Sequence, residues 1–343
     1  MTTYELLLAP SANRVYADQA PRLVAAEAAV LGGWAVRPHQ LASLSCLGFE
    51  AERLDGAAIE RIGRLSAGLA LFEAVPDPAP DAGDDAVLLR PIPGPPPGPV
   101  DEDLVTIPKY AGKTNEQFTR LLLNVTLSQV RASGPVTVLD PMCGRGTTLT
   151  TAWRLGLDAA GVELEVSQVE AMAAFLKTYL RRKRIKHRAE LNPVRREGRS
   201  LGKRLDVEAE FGDQLRRLSV FSGDTRQSAA LWGRRRFQAV VVDAPYGVVH
   251  GSALEPGRGG RRQRSAAELL DEATPVWARQ LAPGGALGLS WNSLGLPRRD
   301  LVDLLRQSGL GPCQGGPWEE FGHRVDSSIY RDIVVAVKPW ESQ

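Results

Sequence analysis

Four apolar segments of this chain each end in a carboxylate: 136-VTVLD-140, 159-AAGVELE-165, 218-LSVFSGD-224 and 237-FQAVVVD-243. Runs that are apolar throughout, rather than alternating, fit strands buried on both faces, as in a parallel sheet covered by helices. Helical patterns separate them, so the chain from Leu104 onward reads as an α/β domain with a mostly parallel, seven-stranded, Rossmann-like sheet. Further strands are expected at 286-ALGLSW-291 and 329-IYRDIVVAVKP-339. Strand ends that all carry acids define one rim, the place where open α/β sheets bind ligands.

The chain of 343 residues is long enough for about two domains. Its first 76 residues read differently from the rest. Strand patterns at 4-YELLLAP-10, 34-WAVR-37, 45-SCLGFEAE-52 and 69-LALFEAV-75 alternate with helical ones at 21–31 and 57–65. The order β-α-β-β-α-β is that of a small α+β ferredoxin-like domain. Residues 77–103 follow as a proline-rich linker, with a short strand at 86-AVLLRP-91. Nine prolines between 76 and 99 leave too few backbone donors for regular structure there. The catalytic candidate is then 104–343.

Apolar residues at 43% and charged ones at 24% are ordinary for a soluble globular protein, and nothing approaches the ~20 apolar residues of a membrane span. The N-terminal MTTYELLLAPSANRVYADQ lacks a basic leader, so a cytoplasmic protein is expected. Cys46, Cys143 and Cys313 lie far apart with no C-x-x-C. That argues against a disulfide framework and a structural zinc, and no metal is expected.

Net charge is +2, but residues 181–204 hold eleven Lys or Arg against two Glu. More basic residues follow at Arg234 to Arg236 and at Arg258, Arg261, Arg262 and Arg264. Such density suits a polyanion, because each cation that neutralises a phosphate releases counterions. The alternative is a solvated Arg-rich surface. Aromatics are nearly absent from the stretch, so base stacking there is not expected. As an insertion spanning 181–217 it reads as a lid, a helical hairpin or a phosphate-binding arm.

Chemistry concentrates in 140-DPMCGRGT-147 and 243-DAPYG-247. Gly144 and Gly146 let the chain turn sharply and bring N–H groups to a ligand, while the helix start at Thr147 and Thr148 favours polar or anionic groups. Asp140 can hold an ammonium, and Glu163 is placed for a ribose diol. Asp224 either accepts from an adenine amino group or caps the helix at 225–232. Cys143, between glycines with no histidine beside it, reads as a packed residue rather than a nucleophile. His187, His250 and His323 acquire no role.

A glycine-turned nucleoside site followed by an Asp-x-Pro-aromatic strand end resembles the class I S-adenosylmethionine-dependent methyltransferases that act on planar nitrogen. An exocyclic amino group is a poor nucleophile because its lone pair is delocalised. The Asp243 carboxylate and the Ala244 carbonyl would accept its hydrogens, Pro245 would fix the turn, and Tyr246 would stack on the target. In-line transfer from sulfonium makes positioning the main catalytic work.

With 109-KYAGKT-114 ahead of them, the motifs resemble the THUMP-associated tRNA guanine-N2 methyltransferases. Lys109, Tyr110, Gly112 and Thr114 match that family's first element, Asp140, Pro141, Gly144, Gly146 and Thr147 its second, and Asp243, Pro245, Tyr246 and Gly247 its third. The resemblance covers residues 105 to 339. It implies that Asp140, Pro141, the 143-to-147 turn, Glu163 and Asp224 bind S-adenosylmethionine, and that Thr114 lines its methionine end. Asp243 to Tyr246 would hold the target. Ala244 stands where the family has proline, and a proline linker stands where its THUMP domain would begin, which leaves the 181–204 stretch to hold RNA. Methylation of a guanine amino group in RNA is the first reading. A DNA adenine, a protein amide or a small molecule is the second, and a non-catalytic RNA-binding relative the third.

Overall fold

The computed structural model describes every residue except 78–86, 96–97, 99, 111, 197–198, 246–265 and 341–343. Two compact units emerge. The first is Met1–Pro97 with Gln314–His323, and the second is Gly98–Cys313 with Arg324–Gln343.

In the first unit, β1 (Thr2–Leu8), α1 (Arg14–Gly32), β2 (Arg37–Leu41), β3 (Leu44–Ala51), α2 (Gly56–Gly63), β4 (Gly68–Pro76) and β5 (Val87–Ile92) follow one another. The sheet order is β2-β3-β1-β4-β5, antiparallel throughout. Helix α1 begins seven residues earlier than Pro21 led us to expect, because Asn13 caps it by accepting the Tyr16 N–H at 3.1 Å. Tyr4, Leu6, Val24, Leu47, Phe49, Ile62 and Leu71 form the core. Within the stretch read as linker, β5 extends the sheet beside β4. Residues 314–323 join this unit rather than the continuous 104–343 span of the sequence reading: Arg22 of α1 donates to the carbonyls of Glu320 and Gly322.

The second unit begins with α3 (Asp103–Thr106), α4 (Glu116–Leu127), β6 (Thr137–Asp140), α5 (Thr147–Arg154), β7 (Asp158–Glu163) and α6 (Val166–Arg182). It continues with β8 (His187–Arg196), β9 (Arg199–Phe211), β10 (Gln214–Ser222), α7 (Ser228–Trp232), β11 (Phe237–Asp243), α8 (Ala266–Gln280), β12 (Leu281–Asn292) and α9 (Arg298–Gln307). Short strands β13 (Gly311–Pro312) and β14 (His323–Arg324) precede β15 (Tyr330–Val337). The sheet runs β13-β15-β12-β11-β6-β7-β10-β9-β8.

Orientation within that sheet is mixed, which corrects the seven-stranded, mostly parallel expectation. Only β12-β11-β6-β7-β10 pair in parallel. The flanking pairs are antiparallel. The surplus strands are β8 and β9, so the 181–217 insertion is neither lid nor helical hairpin but a β-hairpin that widens the sheet beyond β10. The physical reason is alternation: Leu205, Val207, Ala209 and Phe211 are buried, while Arg204, Asp206, Glu208 and Glu210 alternate with them on the more exposed face. Arg181 and Arg182 close α6, and Gln214 to Arg217 already belong to β10.

The chain moves outward from β6 to β7 and β10, then returns to lay β11 on the other side of β6. That reversal opens a crevice at the C-terminal ends of β6 and β11. Asp140 ends one strand and Asp243 the other.

Candidate active site

At the end of β6 the chain turns with Gly144 at φ 52° and Gly146 at φ 85°, left-handed conformations that disfavour any side chain. A Cβ on Gly146 would also stand 3.0 Å from the Met172 thioether, whereas one on Gly144 would meet nothing within 4 Å. Gly144 is thus required by conformation, and the space beside it is open to a ligand. The turn is held by the Cys143 N–H donating to the Val162 carbonyl at 3.0 Å and the Gly146 N–H to the Cys143 carbonyl at 2.7 Å. Gly146 is the N-cap of α5, whose first turn contains Thr147 and Thr148.

Two carboxylates stand beside this turn. Asp140 is buried and accepts the Met142 N–H at 3.0 Å. Burial pushes its carboxyl up to about 7 against hydrogen bonds from Met142 and Thr148, and the nearby charges of Asp243 and Glu163 add to the rise. Glu163 accepts the Gly144 N–H at 2.8 Å on one oxygen and the Glu165 N–H at 2.8 Å on the other. Its carboxyl is also raised, chiefly by burial. Cys143 is buried against Gly161, where a Cβ would fall 2.7 Å from its sulfur. Burial and the neighbouring carboxylates raise its thiol well above the ordinary range, which suits a packed residue and not a thiolate nucleophile.

At the end of β11, the Ala244 N–H donates to the Ser290 carbonyl at 2.8 Å. The Thr114 hydroxyl donates to Oδ2 of Asp243. Thr114, which the resemblance assigns to the methionine end of a cofactor, here has its hydroxyl on the carboxylate that the resemblance assigns to the target. Four residues earlier, Tyr110 and Thr147 share a hydroxyl–hydroxyl hydrogen bond of 2.8 Å, and the Arg145 guanidinium lies 4.9 Å over the Tyr110 ring. The segment 109–114 thereby touches both motifs, the β11 end through Thr114 and the first turn of α5 through Tyr110. Pro245 is part-buried. Tyr246, Gly247, His250 and the arginines at 258–264 lie outside the described residues.

Asp224 follows the end of β10 and caps a 3-10 turn at Thr225–Gln227, accepting the Arg226 N–H at 2.9 Å and its Nε at 2.8 Å. Arg226 also reaches Glu272 at 2.7 Å. The capping alternative is therefore realised.

Much of the basic stretch is matched locally. Lys183 pairs with Asp101 and Asp103, Lys186 with Glu210, Arg188 with Glu190, Lys203 with Glu170 and Arg204 with Asp206. A count of basic letters hid these partners because most of them lie outside 181–204. Such exposed pairs are weak, so they can yield to another anion. Among the described residues, Arg181, Arg182, Arg184 and Arg195 are exposed and make no ion pair.

No protein-family profile matches the chain, and no curated protein does. Among solved structures, TrmN from Thermus thermophilus aligns over 98% of this chain and all of its own, at 12% identity and a TM-score of 0.46. A TehB-like SAM-dependent methyltransferase from Corynebacterium glutamicum aligns over 61% of this chain and 83% of its own, at 14% identity and a TM-score of 0.34. The cyclase SpnF aligns over 68% and 85%, at 14% identity and a TM-score of 0.39. Likenesses this distant do not decide between activities, so function must be argued from the site.

Proposed function

We propose that this chain is an S-adenosylmethionine-dependent N-methyltransferase whose target is the exocyclic amino group of a guanine in RNA. The observation that carries the reading is the pairing of a glycine turn and buried Asp140 at the end of β6 with the Thr114-anchored Asp243 at the end of β11. Neighbouring parallel strands thus present a donor side and an acceptor side.

The residues fit the cofactor. Open space beside Gly144, an acid held on backbone donors at Glu163 and a buried acid at Asp140 offer room, a diol acceptor and a counter-charge for an ammonium. When bound, S-adenosylmethionine would supply an electrophilic methyl group on sulfonium. On the other side, Asp243 and the Ala244 carbonyl accept hydrogens from the target amino group, which localises its lone pair, and Asp243 takes the proton released on transfer. The Thr114 hydroxyl fixes the orientation of that carboxylate. Pro245 keeps a competing N–H out of the turn, and by the resemblance Tyr246 would stack on the target. The β-α-β-β-α-β order and β2-β3-β1-β4 arrangement of the first unit support reading it as ferredoxin-like.

A second reading, methylation of a protein amide or a small molecule, is favoured by the ion pairs that occupy Lys183, Lys186, Arg188, Lys203 and Arg204. Incubation with methyl-labelled cofactor and pools of tRNA, rRNA, DNA and protein, followed by nucleoside mass spectrometry, separates the two. N2-methylguanosine is the expected product. Label confined to protein or small molecules rejects the RNA reading.

A further inference from the structure

The hairpin β8–β9 does more than widen the sheet. Arg204 pairs in register with Phe221, and the Lys203 N–H donates to the Ser222 hydroxyl at 2.7 Å. The Arg196–Arg199 end of the hairpin therefore stands at the same rim as Glu163 and Asp224. Helix α6 packs against both hairpin strands, and the alternating Leu205, Val207 and Ala209 are buried. By register, Val194, Arg204 and Phe221 occupy the opposite face, because residues two apart on a strand share a side. There a cavity of about 410 Å³ opens, lined by Val194, Arg195, Arg204 and Phe221 from the strands and by Ala230 and Leu231 from α7. Its size falls within the range of about 300–1,000 Å³ typical of small-ligand sites.

The lining is chemically specific. The Arg204 guanidinium lies 4.9 Å over the Phe221 ring while its side chain stays 39% exposed. It therefore offers a flat stacking surface braced from below by the ring and at its edge by Asp206, whose carboxylate lies 2.8 Å away. Val194 and Leu231 provide aliphatic walls. Exposed Arg195 makes no ion pair among the described residues. Trp232, whose ring is 4.9 Å from that of Phe221, has a buried indole N–H with no acceptor among the described residues. A planar ring that stacks on guanidinium, joined to an anion within reach of a second arginine, is the chemistry of a nucleotide.

We propose that this groove binds one nucleotide of the single-stranded substrate, flanking the base that enters the methylation site. The proposal rests on the RNA reading for the identity of the strand. It assigns to Arg195, Arg204 and the α7 wall a grip on RNA that the charge count placed across the whole of 181–204.

The test uses a fluorescein-labelled 12-nucleotide single-stranded RNA, the full chain, and the variants Ala230→Trp, which fills the groove from an exposed position, and Arg195→Glu. Both variants are expected to weaken RNA binding about tenfold, while S-adenosylmethionine affinity, measured calorimetrically, stays unchanged and reports an intact fold. The logarithmic salt dependence should fall by about 0.7 for Arg195→Glu, the value of one lost phosphate contact on a single strand, and stay unchanged for Ala230→Trp. RNA binding that is measurable in the wild type and equal in both variants overturns the groove and leaves the RNA reading standing. A wild type with no RNA affinity overturns both. Displacement of the RNA by micromolar 5′-GMP would assign the groove to a free nucleotide, and more effective displacement by polyglutamate would assign it to an acidic partner. Either result overturns the strand proposal.

Discussion

Thr114 donates its hydroxyl hydrogen to the carboxylate of Asp243, 129 residues further along the chain. A short-range motif with no evident chemistry of its own thereby sets the orientation of the acid to which the proposed function gives the target. A hydrogen bond to a charged group contributes about 1.5–3 kcal/mol. Thr114→Ala should therefore lower kcat roughly tenfold to a hundredfold with cofactor affinity unchanged, and Thr114→Ser should restore most of the loss. Steady-state kinetics with parallel calorimetry would show it, and loss of cofactor binding in Thr114→Ala would return Thr114 to the cofactor side.

Asp243→Ala divides the two sides of the site more severely. Transfer should fall by about a thousandfold or more, while S-adenosylmethionine binds as before. Equal loss of both functions contradicts the assignment of Asp243 to the target side.

Asp140 supplies a pH signature. Folded, it keeps its proton up to about pH 7, whereas an unfolded aspartate loses it near pH 4. Between those values the folded state binds more protons, so Asp140's contribution to stability is full below about pH 4 and is lost as pH rises through 7. Asp140→Asn should flatten that part of the unfolding curve. A cation held against Asp140 favours its ionised form, so cofactor affinity should rise about tenfold from pH 6 to pH 8. Titrations in two buffers of different ionisation enthalpy would detect the proton released on binding.

Gly146 sits at φ 85° with the Met172 thioether 3.0 Å from where a Cβ would be. Gly146→Ala should destabilise the protein by about 1–2 kcal/mol from conformation alone. Adding Met172→Ala relieves the contact without removing that cost. Urea unfolding of the single and double variants would separate the two contributions.

Charge reversal at Arg195 should weaken RNA binding more than reversal at Lys183, which already pairs with Asp101 and Asp103. Filter binding across salt concentrations would rank them. Equal effects would mean that the local pairs open freely.

The rim was legible from residues alone. Strand ends in Asp140 and Asp243, together with glycines that must turn left-handed, locate the crevice. The cap formed by Asp224 was legible only as one of two options, because a carboxylate before a helical turn serves either purpose. The hairpin was missed for a different reason. The run 203-KRLDVEAEF-211 alternates at the period of a strand, but its charges fit a solvated surface equally well. The Thr114–Asp243 bond had no local signal, since a contact across 129 residues is set by packing. The ion partners Asp101, Asp103, Glu170 and Glu210 are invisible for the same reason.

Strand β9 ends at Phe211 and β10 begins at Gln214, with Gly212 at φ 63° between them. The chain leaves the parallel core after α6 and re-enters it at β10, so the hairpin departs and returns along one border. Exposed residues of its outer strand, such as Arg188 and Arg195, stand beyond β9 and β10 from the strands that carry Glu163, Asp140 and Asp243. A protein built this way can change what it grasps while the place where it acts stays still.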